Sequence, residues 1–285
     1  GYQGPLSLEI FNDAFRAAPT EATALDGLRS LIWLEQLAEG AVWSLSEPSA
    51  SAYSGIHFIE FTLDEESAAP LGEFLSALGF RHIGRHRSKN VELWRQGDIH
   101  LVLNFETDSF AHTFRLLHGT SVCAVGFRVD DLDAAMARAK LYKAPVFRGP
   151  VGEGEMEIPA LRGIEGSLVY LVNDAQAREV QWKTDFILFE DGDVDDAGLL
   201  NVDHLSYVLP PTQLLGWLLF HRTVFGFDAG SEHEIADPRG MVVSQAVTIF
   251  GRRVWPDLHP DPHVVDETGL LSHPANVVTR VPGFA

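Results

Sequence analysis

The chain is poor in cysteine, in cations and in long apolar runs, and each shortage excludes something. Cys123 is the only cysteine among 285 residues, so no disulfide can form within the chain. In the apolar pattern VCAVGF it reads as a small buried hydrophobe of a reducing compartment, with no activating neighbour in view. Lys and Arg number 21 against 40 Asp and Glu, for a formal net charge of −19. Such a surface repels phosphate backbones and anionic lipid, so neither nucleic acid nor membrane is expected as a partner. Apolar runs such as Leu214 to Phe220 are far too short to cross a bilayer. No basic-then-apolar leader opens the sequence, and the expected location is cytoplasmic.

With 46% hydrophobic residues, the chain can bury a full core in more than one domain. Its clearest signal is a pattern used twice, GIHFIEFTLDEESAAPLGEFLSALGF at 55–80 and VDHLSYVLPPTQLLGWLLFHRTVFGF at 202–227. Each copy opens with an alternating strand carrying an early histidine, His57 or His204. Each then turns into an amphipathic helix and closes on Gly-Phe. Reuse of one unit predicts a modular fold.

Ahead of the first copy, GYQGPLSLEIFND reads as a strand ending in acid, followed by a helix over about 21–37. One βα unit cannot bury both its faces, so its partners are expected to lie elsewhere. Residues 41–54 are small, polar and proline-broken, a linker. From Gly55, strands are expected near 56–63, 80–86, 91–96 and 99–106, with a helix near 67–77. A second set follows with a strand at 122–129, a helix at 132–140 and strands near 145–148, 155–160 and 167–172. That is βαβββ twice, over 55–173, able to pair into one cupped sheet. Residues 174–200, with the run EDGDVDDAG, are expected to be a solvated acidic connector. A third unit occupies 201–248, and from 249 to 285 the plan fails in an irregular, proline-rich tail. Its fourth strand and partner unit are expected to be missing.

Alternate strand residues share a face. His57 then shares a face with Ile59, Phe61 and Leu63, which would fill the first cup with bulk and make this histidine structural. His204 shares a face with Val202, Ser206 and Val208, a more polar and open setting, and is the better candidate for a metal ligand. His221, in the following helix, reads as a polar-face residue. His259 and His263 stand four apart, but Pro260 and Pro262 forbid the helix that would pair them. Glu9, at the carboxyl end of the opening strand, is either an active-site carboxylate of a barrel or a solvent-facing acid.

The βαβββ units, the VDH strand and the FHRTVFGF helix end resemble the vicinal-oxygen-chelate superfamily, in particular 4-hydroxyphenylpyruvate dioxygenase. The opening GPLSLEIFND and DGLRSLIWLE look like the last βα unit of a xylose-isomerase-like barrel of the TIM type. Together the two parts are similar to fused bacterial 3-dehydroshikimate dehydratases. The resemblance implies an α+β chain in which 1–40 ends a barrel, 55–173 is a non-catalytic dioxygenase-like module and 201–248 starts a second one. It implies that Glu9 completes a divalent metal site of the magnesium, manganese or cobalt type in the barrel. It further implies that Asp203-His204 supplies the first metal histidine of the dioxygenase-like half, where Fe(II) would sit. The implied activity is conversion of 3-dehydroshikimate to protocatechuate by a larger enzyme of which this chain is an inactive fragment. The alternatives are an Fe(II)- and O2-dependent 4-hydroxyphenylpyruvate dioxygenase and a non-catalytic scaffold module. The implied partners are a small cyclic hydroxy-keto acid or aromatic α-keto acid, and a homo-oligomer is compatible with this reading.

Overall fold

In the computed structural model the described residues are 4–37, 51–173, 180–189, 197–237, 240–248 and 276–280. The chain divides into two compact units. One comprises residues 53–132 and 145–202; the other comprises residues 1–52, 133–144 and 203–285.

The amino-terminal segment contains α1 (Asp13–Ala17) and α2 (Thr20–Leu37). The expected helix is there, but the expected strand before it is not. Residues 5–12 have no regular structure, and Leu6, Leu8 and Ile10 remain 51%, 44% and 38% exposed. A strand exists only as one side of a hydrogen-bonded ladder. Among the described residues no strand ladder includes this segment.

The unit from Tyr53 is built on a nine-stranded sheet. Its first copy runs β1 (Tyr53–Thr62), α3 (Glu65–Ala77), β2 (Arg81–His86), β3 (Val91–Gln96) and β4 (Ile99–Asn104). Asp64 caps α3, its carboxylate accepting from the Ser67 N–H at 2.9 Å. A helix that the sequence reading missed, α4 (Phe110–His118), leads to the second copy. That copy runs β5 (Ser121–Val129), α5 (Leu132–Leu141), β6 (Val146–Phe147), β7 (Ala160–Arg162) and β8 (Leu168–Asn173). The strand order is β6-β7-β8-β5-β1-β4-β3-β2 followed by one more edge strand. In each copy the first strand lies parallel to the fourth, and the copies meet through antiparallel β1 and β5.

The extra edge strand corrects the reading of 174–200 as a simple connector. Residues 180–188 form α6 (Val180–Asp185) and β9 (Phe186–Leu188), and β9 pairs with β2. Trp182 and Phe186 enter the core with Phe58, Leu93, Val102 and Val172. Farther on, the side-chain oxygen of buried Gln96 accepts the N–H groups of Ala197 and Leu199 at 2.9 and 3.1 Å, fastening this stretch to the β3–β4 turn. The acidic positions 190–196 lie outside the described residues.

The third copy also differs from expectation. It contains β10 (Ser206–Leu209), α7 (Leu214–Phe220), β11 (Asp228–Asp237) and β12 (Gly240–Thr248). The fourth strand, expected to be missing, is β13 (Asn276–Arg280), parallel to β10 and antiparallel to β12. The order β10-β13-β12-β11 repeats the plan of the other copies. No period announced β13, because a short strand beside two formed neighbours takes its register from them.

Candidate functional site

Glu9, one of the two residues expected to hold metal, is exposed in the irregular segment. His204 precedes β10 by two residues and is also exposed. Its Nδ1 lies 2.8 Å from Oδ2 of the adjoining Asp203. A carboxylate at that distance favours the tautomer with hydrogen on Nδ1, leaving Nε2 as a lone-pair donor; metal-bound histidines commonly use this arrangement. In β10, Ser206 and Val208 are exposed while Leu209 is buried. One histidine does not make a site, however. Among the described residues no three His, Cys, Asp or Glu side chains come together as a metal cluster. His204 fits the role of one ligand, and the described residues supply no companions to it. His259 and His263 lie outside the described residues.

His221 corrects another expectation. It begins a π-helical turn, His221–Phe225, at the end of α7. The wider turn brings its imidazole inside, where it is 6% exposed and its Nδ1 meets the Trp217 carbonyl at 2.7 Å. Burial holds its pKa below the ordinary value, partly offset by that hydrogen bond. Nearby, Arg29 of α2 is 6% exposed, donating from Nε to the Tyr142 carbonyl at 3.0 Å and pairing with Asp26 at 3.0 Å. Its guanidinium lies 5.2 Å from the centre of the Phe220 ring.

A second group of buried polar side chains lies in the nine-stranded unit. Strict alternation would place Ile59, Phe61 and Leu63 beside His57 in the cup. They pack outside it, with Leu71 and Leu75 of α3. The cause is an irregularity in β1: Ile56 pairs with Phe127 and Phe58 with Gly126, so His57 is an extra residue in the ladder. The bulge breaks the alternation and lets His57 join the cluster around Phe58. His57 is 3% exposed, lies nearly parallel to the Trp182 indole at 5.0 Å, and places Nε2 2.9 Å from Oε1 of Gln181. His100 of β4 lies on the same indole at 4.8 Å. Burial first, then the neighbouring His57 and Arg95, push the His100 pKa down to about 4. The structural reading of His57 thus has a filled cup behind it, although its neighbours are not those expected.

Farther along β1, Glu60 accepts from the Asn104 amide at 2.7 Å. Burial raises its pKa, against the lowering effect of hydrogen bonds from Asn104 and Cys123. Burial also drives the Cys123 thiol far above its ordinary value, with the Glu60 charge adding to it, so this sulfur is no nucleophile. At the rim, Ser88, His86 and Glu155 are close together. Ser88 donates directly to Glu155 and Lys89 pairs with the same carboxylate at 2.6 Å, so the group ties loops together and makes no proton relay.

Comparison with known proteins agrees with this architecture. The family described as hydroxyphenylpyruvate dioxygenase, HPPD, N-terminal matches residues 49–187. Two curated relatives named 3-dehydroshikimate dehydratase are 46% identical over 259 residues (Pseudomonas putida) and 48% identical over 257 residues (Pseudomonas aeruginosa). Each alignment takes in 87% of this chain but 40% of the relative. A 4-hydroxyphenylpyruvate dioxygenase of Pseudomonas aeruginosa is 34% identical over 190 residues, 66% of this chain and 53% of that protein. A solved xylose isomerase-like TIM barrel/4-hydroxyphenylpyruvate dioxygenase fusion protein superposes with a TM-score of 0.77 at 39% identity. That superposition covers 98% of this chain and 42% of the other. The two βαβββ copies in one sheet and the third copy beyond them are thus similar to parts of fused dehydratase/hydroxyphenylpyruvate-dioxygenase-like proteins, and the chain spans about two fifths of the length of the dehydratases and of the fusion protein.

Proposed function

We propose that this chain is part of a metal-dependent 3-dehydroshikimate dehydratase, a lyase that forms protocatechuate. The observation that carries the reading is the match to the two dehydratases, which runs through 87% of the chain. The reaction removes a proton from carbon next to the ketone and then expels water. The dienone left by loss of water becomes aromatic when a ring CH2 proton moves to the ketone oxygen, and that tautomerisation drives the sequence forward. A divalent ion in such a site would act as a Lewis acid on the developing enolate.

Among its described residues this chain offers one candidate ligand to each metal site. Glu9 would be one anionic ligand of the barrel site, its companions coming from the rest of the longer protein. His204, oriented by Asp203, would be one imidazole ligand of the dioxygenase-like half. The described residues hold neither complete set, so the isolated chain is expected to be inactive and no catalytic step is assigned to it. In the longer protein, Glu9→Ala should abolish metal-dependent protocatechuate formation. Near wild-type turnover of that variant, followed by product absorbance, removes Glu9 from the site. Robust turnover by the purified 285-residue chain refutes the whole assignment of incomplete sites.

The 34% identity to a 4-hydroxyphenylpyruvate dioxygenase favours one second reading. Under it, His204 serves an iron-dependent oxygenase acting on an aromatic α-keto acid. Oxygen uptake with 4-hydroxyphenylpyruvate by the longer protein, lost in His204→Ala, distinguishes it from the dehydratase.

A further inference from the structure

Residues 180–189 lie outside both βαβββ copies, yet they carry Trp182 and Phe186 into the middle of the first cup. Their hold on the sheet is narrow. β9 is an edge strand whose three residues pair with Gly84, Arg85 and His86 of β2. At its two ends the Phe189 N–H donates to the Ile83 carbonyl at 2.8 Å and the Arg87 N–H to the Asp185 carbonyl at 2.9 Å. The exposed Arg87 guanidinium adds bonds to the Thr184 and Lys183 carbonyls at 2.8 and 3.0 Å. A short edge element of this kind opens at lower free energy than the strands behind it. What it covers is a pair of imidazoles. The Trp182 indole lies 5.0 Å from the His57 ring and 4.8 Å from the His100 ring, within 17° of parallel to each. The two imidazoles are 6.0 Å apart, and Gln181 places Oε1 2.9 Å from Nε2 of His57.

We infer that residues 180–189 form an acid-released strap, closed over the His57–His100 pair and opened when His100 takes up a proton. While the strap is shut, a proton on His100 is disfavoured from several sides. The indole keeps water from the ring, His57 stands beside it, and Arg95 of β3 is its cross-strand partner. Burial first, then His57 and Arg95, hold its pKa at about 4 against the opposing pull of Asp98, whose carbonyl meets Nδ1 at 3.2 Å. Opening returns the ring to water and to its ordinary range, so protonation favours the open form. At the far end of the strap His86 of β2 meets the Phe186 ring at 5.2 Å. Its pKa is lowered by burial and then by Lys89, so it acts in the same direction. Asp185, whose pKa burial raises, works against release. Glu155, 4.0 Å from His86, is buried too, but hydrogen bonds from Lys89, Ser88 and the Gly152 N–H hold its pKa at about 2. It therefore acts only in stronger acid. The strap uses none of the residues assigned to metal, so it stands or falls separately from the dehydratase reading.

The test is amide hydrogen exchange of the 15N-labelled 285-residue chain at pH 7 and pH 5, with rates corrected for the intrinsic effect of pH. The Phe189 and Arg87 amides report on the strap, because their bonds join it to β2. At pH 7 both should be at least about tenfold less protected than amides of the β1–β5 pair. Between pH 7 and pH 5 their protection should fall roughly twentyfold, the factor for one group whose pKa moves from about 4 to an ordinary 6.5. His100→Asn should keep the local opening and remove most of that fall. Trp182→Phe, a smaller plug, should lower protection at both pH values and keep the fall. Strap amides as protected as the β1–β5 pair would mean that this segment opens only with the whole unit, and would overturn the strap. Protection that is flat or rises on acidification overturns the acid release. So does a fall undiminished in His100→Asn, or protection unchanged in Trp182→Phe. The first two readings need only the unmodified chain, so they decide the matter even where a variant does not fold.

Discussion

Gly126→Ala gives a sharp test of how tightly the first cup is packed. Gly126 lies in the middle of β5, directly opposite Phe58 of β1. A methyl group built there would stand 2.5 Å from Cε1 and 2.6 Å from Cδ1 of the Phe58 ring. Carbon atoms rest at about 3.5–4.0 Å, so the ring must retreat by about 1 Å. It has little room to do so: Phe58 is 5% exposed, with Tyr170 at 5.6 Å and Trp182 at 6.1 Å between ring centres. Overpacking of this kind costs about 1–3 kcal/mol. Without the ring the sign would reverse, since Gly→Ala at a compatible backbone position stabilises by about 0.4–1 kcal/mol. The assay is urea unfolding of Gly126→Ala, Phe58→Leu and the double variant. Gly126→Ala should be destabilised in the native background, and the double variant should be more stable than the sum of the singles predicts by about 1–2 kcal/mol. Strict additivity, or a stabilised Gly126→Ala, would falsify the packing argument.

Other outcomes follow from the same coordinates. Arg29→Ala should cost about 3–5 kcal/mol, because it strands the Tyr142 carbonyl and the half-buried Asp26 carboxylate; a loss under about 1 kcal/mol in guanidinium unfolding would show those contacts to be ornamental. His100, with its folded pKa near 4 against an ordinary 6.5, resists protonation in the fold while the unfolded chain accepts it. Its contribution to stability is therefore complete above about pH 6.5 and falls away as the pH drops toward 4, by up to about 3 kcal/mol. His100→Asn should flatten that part of the stability–pH curve, and an unchanged slope between pH 6.5 and 4.5 sinks the assignment. In the longer protein, His204→Ala should lower the metal content measured by mass spectrometry, and Asp203→Asn should weaken metal affinity by about ten- to a hundredfold; unchanged content and affinity in both would remove this pair from the metal site.

Much of the architecture was legible because repetition survives in local patterns. The strand and helix periods of the first two βαβββ copies, and the resemblance carried by VDH and FHRTVFGF, lie within short windows where side-chain spacing reports directly on backbone geometry. The helix Phe110–His118 escaped because its nine residues sit between stronger signals. The segment 180–188 escaped because its neighbouring acids suggested solvent. Trp182 and Phe186 were the available signal there, two large aromatics that a solvated connector has no reason to carry.

The amino-acid order by itself determined that the chain is modular, acidic and α+β, and it singled out His204 and Glu9 by position in a repeated or recognisable pattern. Tertiary structure alone decided which way His57 turns, that Trp182 fills the cup, and that residues 276–280 complete the sheet of the third copy. A bulge shifts a side chain by one face, and an edge strand adopts the register of whatever it meets. Both are contests between distant segments, and no window of neighbouring residues contains the competitor.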